Sequence, residues 1–245
     1  MGSFRNNNDK PAGAFKPGLG EVIWHTFARI ILTGTICTLC RVWAYGMKNV
    51  PKDGPVLLLS NHQSFLDPIF SQSWIPRGLH FVARESLYEN KIFGFLIRYL
   101  HTVPIKRGQA DLTAMRTIID RLKFGSAVCL YPEGTRTGDG RIAEIKPGFS
   151  LLSRRSGAKI VPVVIEGAFE CWPRHKKFPK IAKVAVSYGK PIIPERIKEL
   201  GDREFAKEIT AQLRRMQTEL RLKLGRNPFD YTQHNSNQNS TELKV

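Results

Sequence analysis

Val56-Leu57-Leu58-Leu59-Ser60-Asn61-His62-Gln63-Ser64-Phe65-Leu66-Asp67-Pro68 holds both the strongest structural signal and the strongest chemical one. Val56 to Ser60 is an almost unbroken apolar run, the pattern of a strand buried on both faces rather than one that alternates between core and water. It runs straight into a polar loop and then into a helical pattern near Asp67 to Trp74. Further β-rich runs follow at Leu79 to Ala83, Thr102 to Ile105, Ala127 to Tyr131, Lys159 to Ile165 and Val184 to Tyr188. Helical patterns separate them near Ile92 to Tyr99, Asp111 to Lys123 and Phe149 to Arg155. Apolar strands joined by helical crossovers predict an α/β fold: a central, mostly parallel mixed sheet flanked by helices. Arg203 to Leu224 adds a long amphipathic helix, with Phe205, Ile209, Leu213, Met216, Leu220 and Leu224 at helical spacing.

Outside this region the chain changes character. Residues 1–19, with Asn6-Asn7-Asn8 and several Pro and Gly, read as a flexible arm, and 227–245 read as a disordered polar tail. Residues 20–46 form a helical segment whose uncharged part, Ile30 to Cys40, is eleven residues long, short of the roughly 20 that span a bilayer. Trp24, Phe27, Ile30, Ile31 and Trp43, with His25, Arg29 and Arg41 beside them, suit a helix lying at the membrane interface. Packing on the protein's own core is the other reading. The globular domain is expected over 47–226.

The chain has 245 residues, 38 Lys+Arg against 21 Asp+Glu, and a net charge of +17. That length buries a core unaided and excludes collagen-like and wholly disordered classes. The charge calls for an anionic partner, either nucleic acid or an acidic lipid surface. Four cysteines, Cys37, Cys40, Cys129 and Cys171, are too few for a disulfide framework and point to a reducing compartment. The Cys37-Cys40 pair lacks the second pair that a zinc site needs, so small buried or lipid-facing side chains are expected there.

Loops at the carboxyl ends of strands are where α/β folds place reactive groups. In the first such loop His62 precedes Asp67 by five residues. The carboxylate can accept the Nδ1 hydrogen and leave Nε2 as a base. The same residues also fit a helix start, with Ser64 and Asp67 as an S-x-x-D capping box and Pro68 in the first turn. In the second loop, Pro132-Glu133-Gly134-Thr135-Arg136-Thr137-Gly138 offers backbone amides, a hydroxyl and a guanidinium suited to phosphate, or else a plain glycine turn. Lys106-Arg107 and Lys146-Pro147-Gly148 follow or precede other elements. Together these segments describe a pocket for a phosphorylated substrate that must lose a proton.

These motifs resemble those of the glycerolipid acyltransferases. His62 to Asp67 matches their H-x-x-x-x-D block, Tyr131-Pro132-Glu133-Gly134-Thr135-Arg136 looks like F-P-E-G-T-R with Tyr in place of Phe, and Pro104-Ile105-Lys106-Arg107 and Val161-Pro162-Val163 stand where two further blocks occur. Order and spacing also agree, over roughly Tyr45 to Pro191, and the wording is most similar to the branch that acylates 1-acylglycerol 3-phosphate. The resemblance implies a glycerol-3-phosphate acyltransferase-like fold, with His62 as general base and Asp67 orienting it. It implies that Arg107, Glu133, Gly134, Thr135 and Arg136 bind the phosphate-bearing substrate, with Arg84 where a phosphate-contacting Lys often stands.

The implied reaction moves an acyl group from acyl-CoA or acyl carrier protein to the sn-2 hydroxyl of lysophosphatidic acid, giving phosphatidic acid. It needs no metal or organic cofactor. The enzyme would be monotopic, on the cytoplasmic face of a membrane, with anionic lipid rather than nucleic acid as partner. The basic stretch Cys171 to Lys183 would meet the lipid surface or form an ordinary solvated loop. Other lysophospholipids or glycerol 3-phosphate are alternative acceptors, and a nucleic-acid-binding module is the reading from another class. It lacks RNP-type aromatics, zinc-finger spacing and a basic heptad.

Overall fold

A computed structural model describes residues 33–75, 77–84, 102–105 and 111–231. Its strands are β1 (Trp43–Tyr45), β2 (Val56–Ser60), β3 (Leu79–Arg84), β4 (Val103–Ile105), β5 (Ala127–Leu130), β6 (Lys159–Glu166) and β7 (Ala185–Tyr188). Its labelled helices are α1 (Asp67–Gln72), α2 (Leu112–Lys123), α3 (Phe149–Ser156), α4 (Ala168–Cys171), α5 (Glu195–Leu200) and α6 (Asp202–Lys223). The strands form one sheet in the order β1-β7-β6-β2-β5-β3-β4. Only the β6–β7 pair is antiparallel, so the expected mostly parallel mixed sheet is what forms.

β2 explains why. All five of its residues are buried, because alternate side chains serve two separate cores. Val56 and Leu58 join Ile69 and Phe70 of α1 on one face, together with Cys37, Cys40 and Cys171. Leu57 and Leu59 join Ile118 and Leu122 of α2, Phe149 and Leu152 of α3, Ile197 of α5, and Phe205, Ile209 and Leu213 of α6 on the other. A strand between two helical layers needs apolar groups at every position, which is the pattern read above.

Two expected boundaries are corrected. The N-terminal segment was expected to end as an interface helix at 46, but residues 33–39 are helical, Cys37, Cys40 and Val42 are buried in the domain's core, and Trp43–Tyr45 pairs in parallel with β7. A three-residue strand, with Ala44 packed on one core and Tyr45 on the other, carries too little pattern to be seen in a segment that reads as helix. The tail was expected from 227, yet the Tyr231 hydroxyl accepts a hydrogen bond from the Ile142 amide at 2.9 Å and donates to Gln217. Residues 1–32, the helix near Ile92 to Tyr99, Arg107 and the tail from 232 lie outside the described residues. Among the described residues no helix is long and apolar enough to cross a membrane.

Candidate active site

Three adjacent parallel strands bring the site together. β2 lies between β5 and β6, with Leu59 opposite Leu130 on one side and Ser60 opposite Val163 on the other. The loop after β2 carries His62, the loop after β5 carries Glu133 to Arg136, and β6 ends at Glu166. Their carboxyl ends therefore converge although the segments are far apart in sequence.

Asn61 starts the loop by imitating a strand neighbour. Its side-chain amide donates to the Ile165 carbonyl at 2.9 Å and accepts from the Ile165 amide at 2.8 Å, extending the β2–β6 ladder by one rung. The chain then turns so that His62 Nδ1 and Asp67 Oδ2 lie 2.7 Å apart. The same carboxylate oxygen accepts the Gln63 and Ser64 amides at 2.7 and 2.8 Å. Asp67 is wholly buried, while the His62 side chain keeps 21% of its surface exposed. A buried carboxylate with three donors on one oxygen is held rigidly, and it fixes the imidazole proton on Nδ1, leaving Nε2 as the ring's acceptor. The capping-box expectation is realised in part: Asp67 reaches back to the Ser64 amide, but no side chain caps α1, which begins at Asp67 itself.

The second loop wraps this histidine. Glu133 Oε1 accepts the His62 amide at 2.8 Å, and the Thr137 amide donates to the His62 carbonyl at 2.8 Å. Glu133 Oε2 accepts the Ala143 amide at 3.1 Å, so both carboxylate oxygens brace backbone. Burial pushes the Glu133 carboxyl up to about 7, against the pull of those two amides. Gly134 makes the turn at φ +75°, a left-handed conformation that favours glycine. Tyr131, at the position where the resembling motif has Phe, stacks on the His62 ring with centroids 4.1 Å apart and planes 19° from parallel. The Arg136 guanidinium lies 3.4 Å over the Phe65 ring, and Trp172 packs against Phe65 at 5.2 Å. Thr135, Arg136, Thr137, Gly138 and Arg141 border an open cavity of about 300 Å³ beside Glu133.

His62, Asp67, Glu133, Gly134, Thr135 and Arg136 thus meet in one place. Arg84 ends β3, where its backbone pairs with Ile105; its side chain, like Arg107, lies outside the described residues. Burial pushes the Cys129 thiol up to about 12, which leaves it a protonated core group and a poor nucleophile.

Sequence reading missed a polar layer behind the histidine. Gln63 Nε2 donates to the Gly140 carbonyl at 3.0 Å and to Glu166 Oε2 at 3.2 Å, and its Oε1 accepts the Phe169 amide at 3.2 Å. Glu166 also accepts from Gln217 at 2.7 Å and Arg221 at 2.6 Å. The available signal was the single acid that closes the apolar run Lys159 to Glu166, since a carboxylate there must find donors.

A family model described as Acyltransferase matches residues 41–166. Among curated proteins, the chain is 28% identical over 152 residues to the chloroplastic 1-acyl-sn-glycerol-3-phosphate acyltransferase of Arabidopsis thaliana, a match covering 61% of this chain and 42% of that protein. It is 26% identical over 184 residues to the 1-acyl-sn-glycerol-3-phosphate acyltransferase of Bacillus subtilis, covering 75% and 89%. The chain therefore spans about two fifths of the plant protein's length and most of the bacterial one's. The crystal structure of the 1-acyl-sn-glycerophosphate acyltransferase PlsC from Thermotoga maritima is similar with a TM-score of 0.67 and 26% identity, covering 82% of this chain and 88% of that one.

Proposed function

The chain belongs to the acyltransferase family, and from that premise we propose that it moves a fatty acyl group from an acyl thioester to the sn-2 hydroxyl of lysophosphatidic acid, giving phosphatidic acid. The observation that carries this reading is the 2.7 Å contact between His62 Nδ1 and buried Asp67, which leaves Nε2 as the ring's base. The substrate alcohol supplies the attacking oxygen. His62 Nε2 takes the hydroxyl proton as the C–O bond forms, the tetrahedral oxyanion collapses with loss of the C–S bond, and the proton passes from His62 to the leaving thiolate. Atoms balance with the two substrates alone.

Thr135 and Arg136, with Arg107 and Arg84, are the groups suited to hold the substrate phosphate. Glu133 fits beside them because burial leaves it only partly ionised near neutral pH, and because both oxygens face backbone amides. Its part is to hold His62 in place. The names of the plant and bacterial relatives support lysophosphatidic acid as acceptor. Both substrate and product are membrane lipids, which supports a monotopic location at the cytoplasmic face, where acyl-CoA and acyl carrier protein are at hand.

The test is an assay of the purified full chain, offering lysophosphatidic acid and glycerol 3-phosphate with each donor. Acylation of lysophosphatidic acid is expected, and His62→Ala is expected to lower it by at least about 10²-fold in folded protein. Full activity of that variant would refute the mechanism. Acylation of glycerol 3-phosphate alone would refute the acceptor.

A further inference from the structure

The segment between α4 and β7 combines three properties that no part of the catalytic arrangement explains. From Arg174 to Ile181 every residue is exposed. Two of them are large and apolar: Phe178 is 82% and Ile181 70% accessible. Around them stand Arg174, Lys176, Lys177, Lys180 and Lys183, with no Asp or Glu between Trp172 and Lys183. A folded protein in water gains nothing from holding an aromatic and a branched aliphatic side chain outward among like charges.

The segment is nevertheless built. The Lys180 amide donates to the Cys171 carbonyl at 2.8 Å, the Lys176 amide to the Pro173 carbonyl at 3.1 Å, and the Trp172 indole to the Lys176 carbonyl at 3.1 Å, closing the loop on itself. At its start Cys171 Sγ lies 3.5 Å from Cys40 Sγ. At its end the Val184 amide donates to the Cys40 carbonyl, and the Trp43 amide to the Val184 carbonyl. Gly167, at φ +94°, lets the chain before α4 pass so close to this loop's end that a Cβ there would meet the Lys183 carbonyl oxygen at 2.1 Å. Both ends are thus tied to Cys40 and Trp43, and Trp43 and the neighbouring Leu39 are 46% and 52% exposed. On its inner side Trp172 packs on Phe65, and Arg174 reaches Thr135 Oγ1 at 3.5 Å.

We propose that residues 174–183 dock the protein on an anionic lipid bilayer, Phe178 and Ile181 entering the acyl region while the surrounding cations sit among the headgroups. Apolar side chains within a ring of basic ones match that layered surface, since each group meets its own medium. A soluble acidic partner would satisfy the cations but leave both apolar groups in water. Because the loop is fastened to Phe65 and Thr135, docking it sets His62 at a fixed distance from the bilayer. The inference rests on the lipid-acylating function proposed above and names the surface through which the substrate is reached.

The full chain with Phe178→Cys, labelled with a polarity-sensitive dye, provides the direct test, because the four native cysteines are buried. With mixed phosphatidylcholine–phosphatidylglycerol vesicles the emission is expected to shift to the blue and to be quenched by brominated acyl chains. Phosphatidylcholine alone should give little of either. Vesicle-bound protein whose dye stays in water, or no vesicle binding at all, would overturn the proposal. In a second arm, the Phe178→Asp/Ile181→Asp variant is expected to lose at least about tenfold in vesicle partitioning. It should keep wild-type turnover of a short-chain, monomeric lysophosphatidic acid. A raised KM for the acyl donor with unchanged partitioning would instead make the loop a donor site and reject docking. Absence of turnover in the wild type would strike at the proposed reaction, while the dye experiment would still report on the loop.

Discussion

His62 is gripped at its ring, its amide and its carbonyl, by Asp67, Glu133 and Thr137 respectively. The charge state of Glu133 depends on the fold. Burial raises its carboxyl from 4.5 to about 7, so the native protein holds a proton that the unfolded chain has already released. The resulting stabilisation is complete below about 4.5 and fades as pH rises to about 7, with a slope of up to about 1.4 kcal/mol per pH unit. Glu133→Gln cannot titrate. The advantage of wild type over this variant in urea unfolding should shrink steadily as pH rises across that window, and an advantage independent of pH would contradict the assignment. At this scale the sequence was informative: a base, an acid five residues on and a glycine turn are residue types that the chemistry itself requires. That Glu133 braces the histidine was hidden, because the two are 71 residues apart and only the β2–β5 pairing brings them together.

At the scale of elements, α6 does more than cover the sheet. Its apolar stripe, Phe205, Ile209, Leu213 and Leu220, was legible as helical spacing, but Gln217 and Arg221 leave the stripe to meet Glu166 behind the site. The Glu166 side chain is 1% exposed and that of Arg221 12%, so removing the acid strands a largely buried cation. Glu166→Ala is expected to cost about 3–5 kcal/mol in chemical denaturation. Adding Arg221→Met should return part of that loss; additive losses in the double variant would show that the two groups do not act as a pair. β1 is the opposite case. Trp43-Ala44-Tyr45 is too short for its aromatic residues to mark a strand, and its pairing with β7 is decided by a partner 142 residues away, which no local pattern encodes.

For the whole molecule, the +17 charge and the N-terminal segment should act together at a lipid surface. The structure decides where the segment can be cut. Residues 37–45 complete the core and the sheet, so a deletion reaching Tyr45 would unfold the domain, whereas one ending at 32 spares every described contact. The 33–245 chain is expected to keep its thermal midpoint within a few degrees and to co-sediment more weakly with anionic vesicles. Its remaining association should fall as salt rises, since charges are screened over about 8 Å at physiological ionic strength. Unchanged sedimentation would remove the segment from the membrane contact. The sequence by itself determined the α/β class, the pairing of His62 with Asp67 and the chain's net charge, because burial on two faces, short-range spacing and summed charge are local or additive properties. Only the tertiary structure decided which strands are neighbours, what holds His62 from behind and that the basic loop stands beside the site, because these depend on contacts such as Gln63–Glu166, 103 residues apart. Such contacts follow from the packing of the whole sheet and leave no periodic trace in the chain.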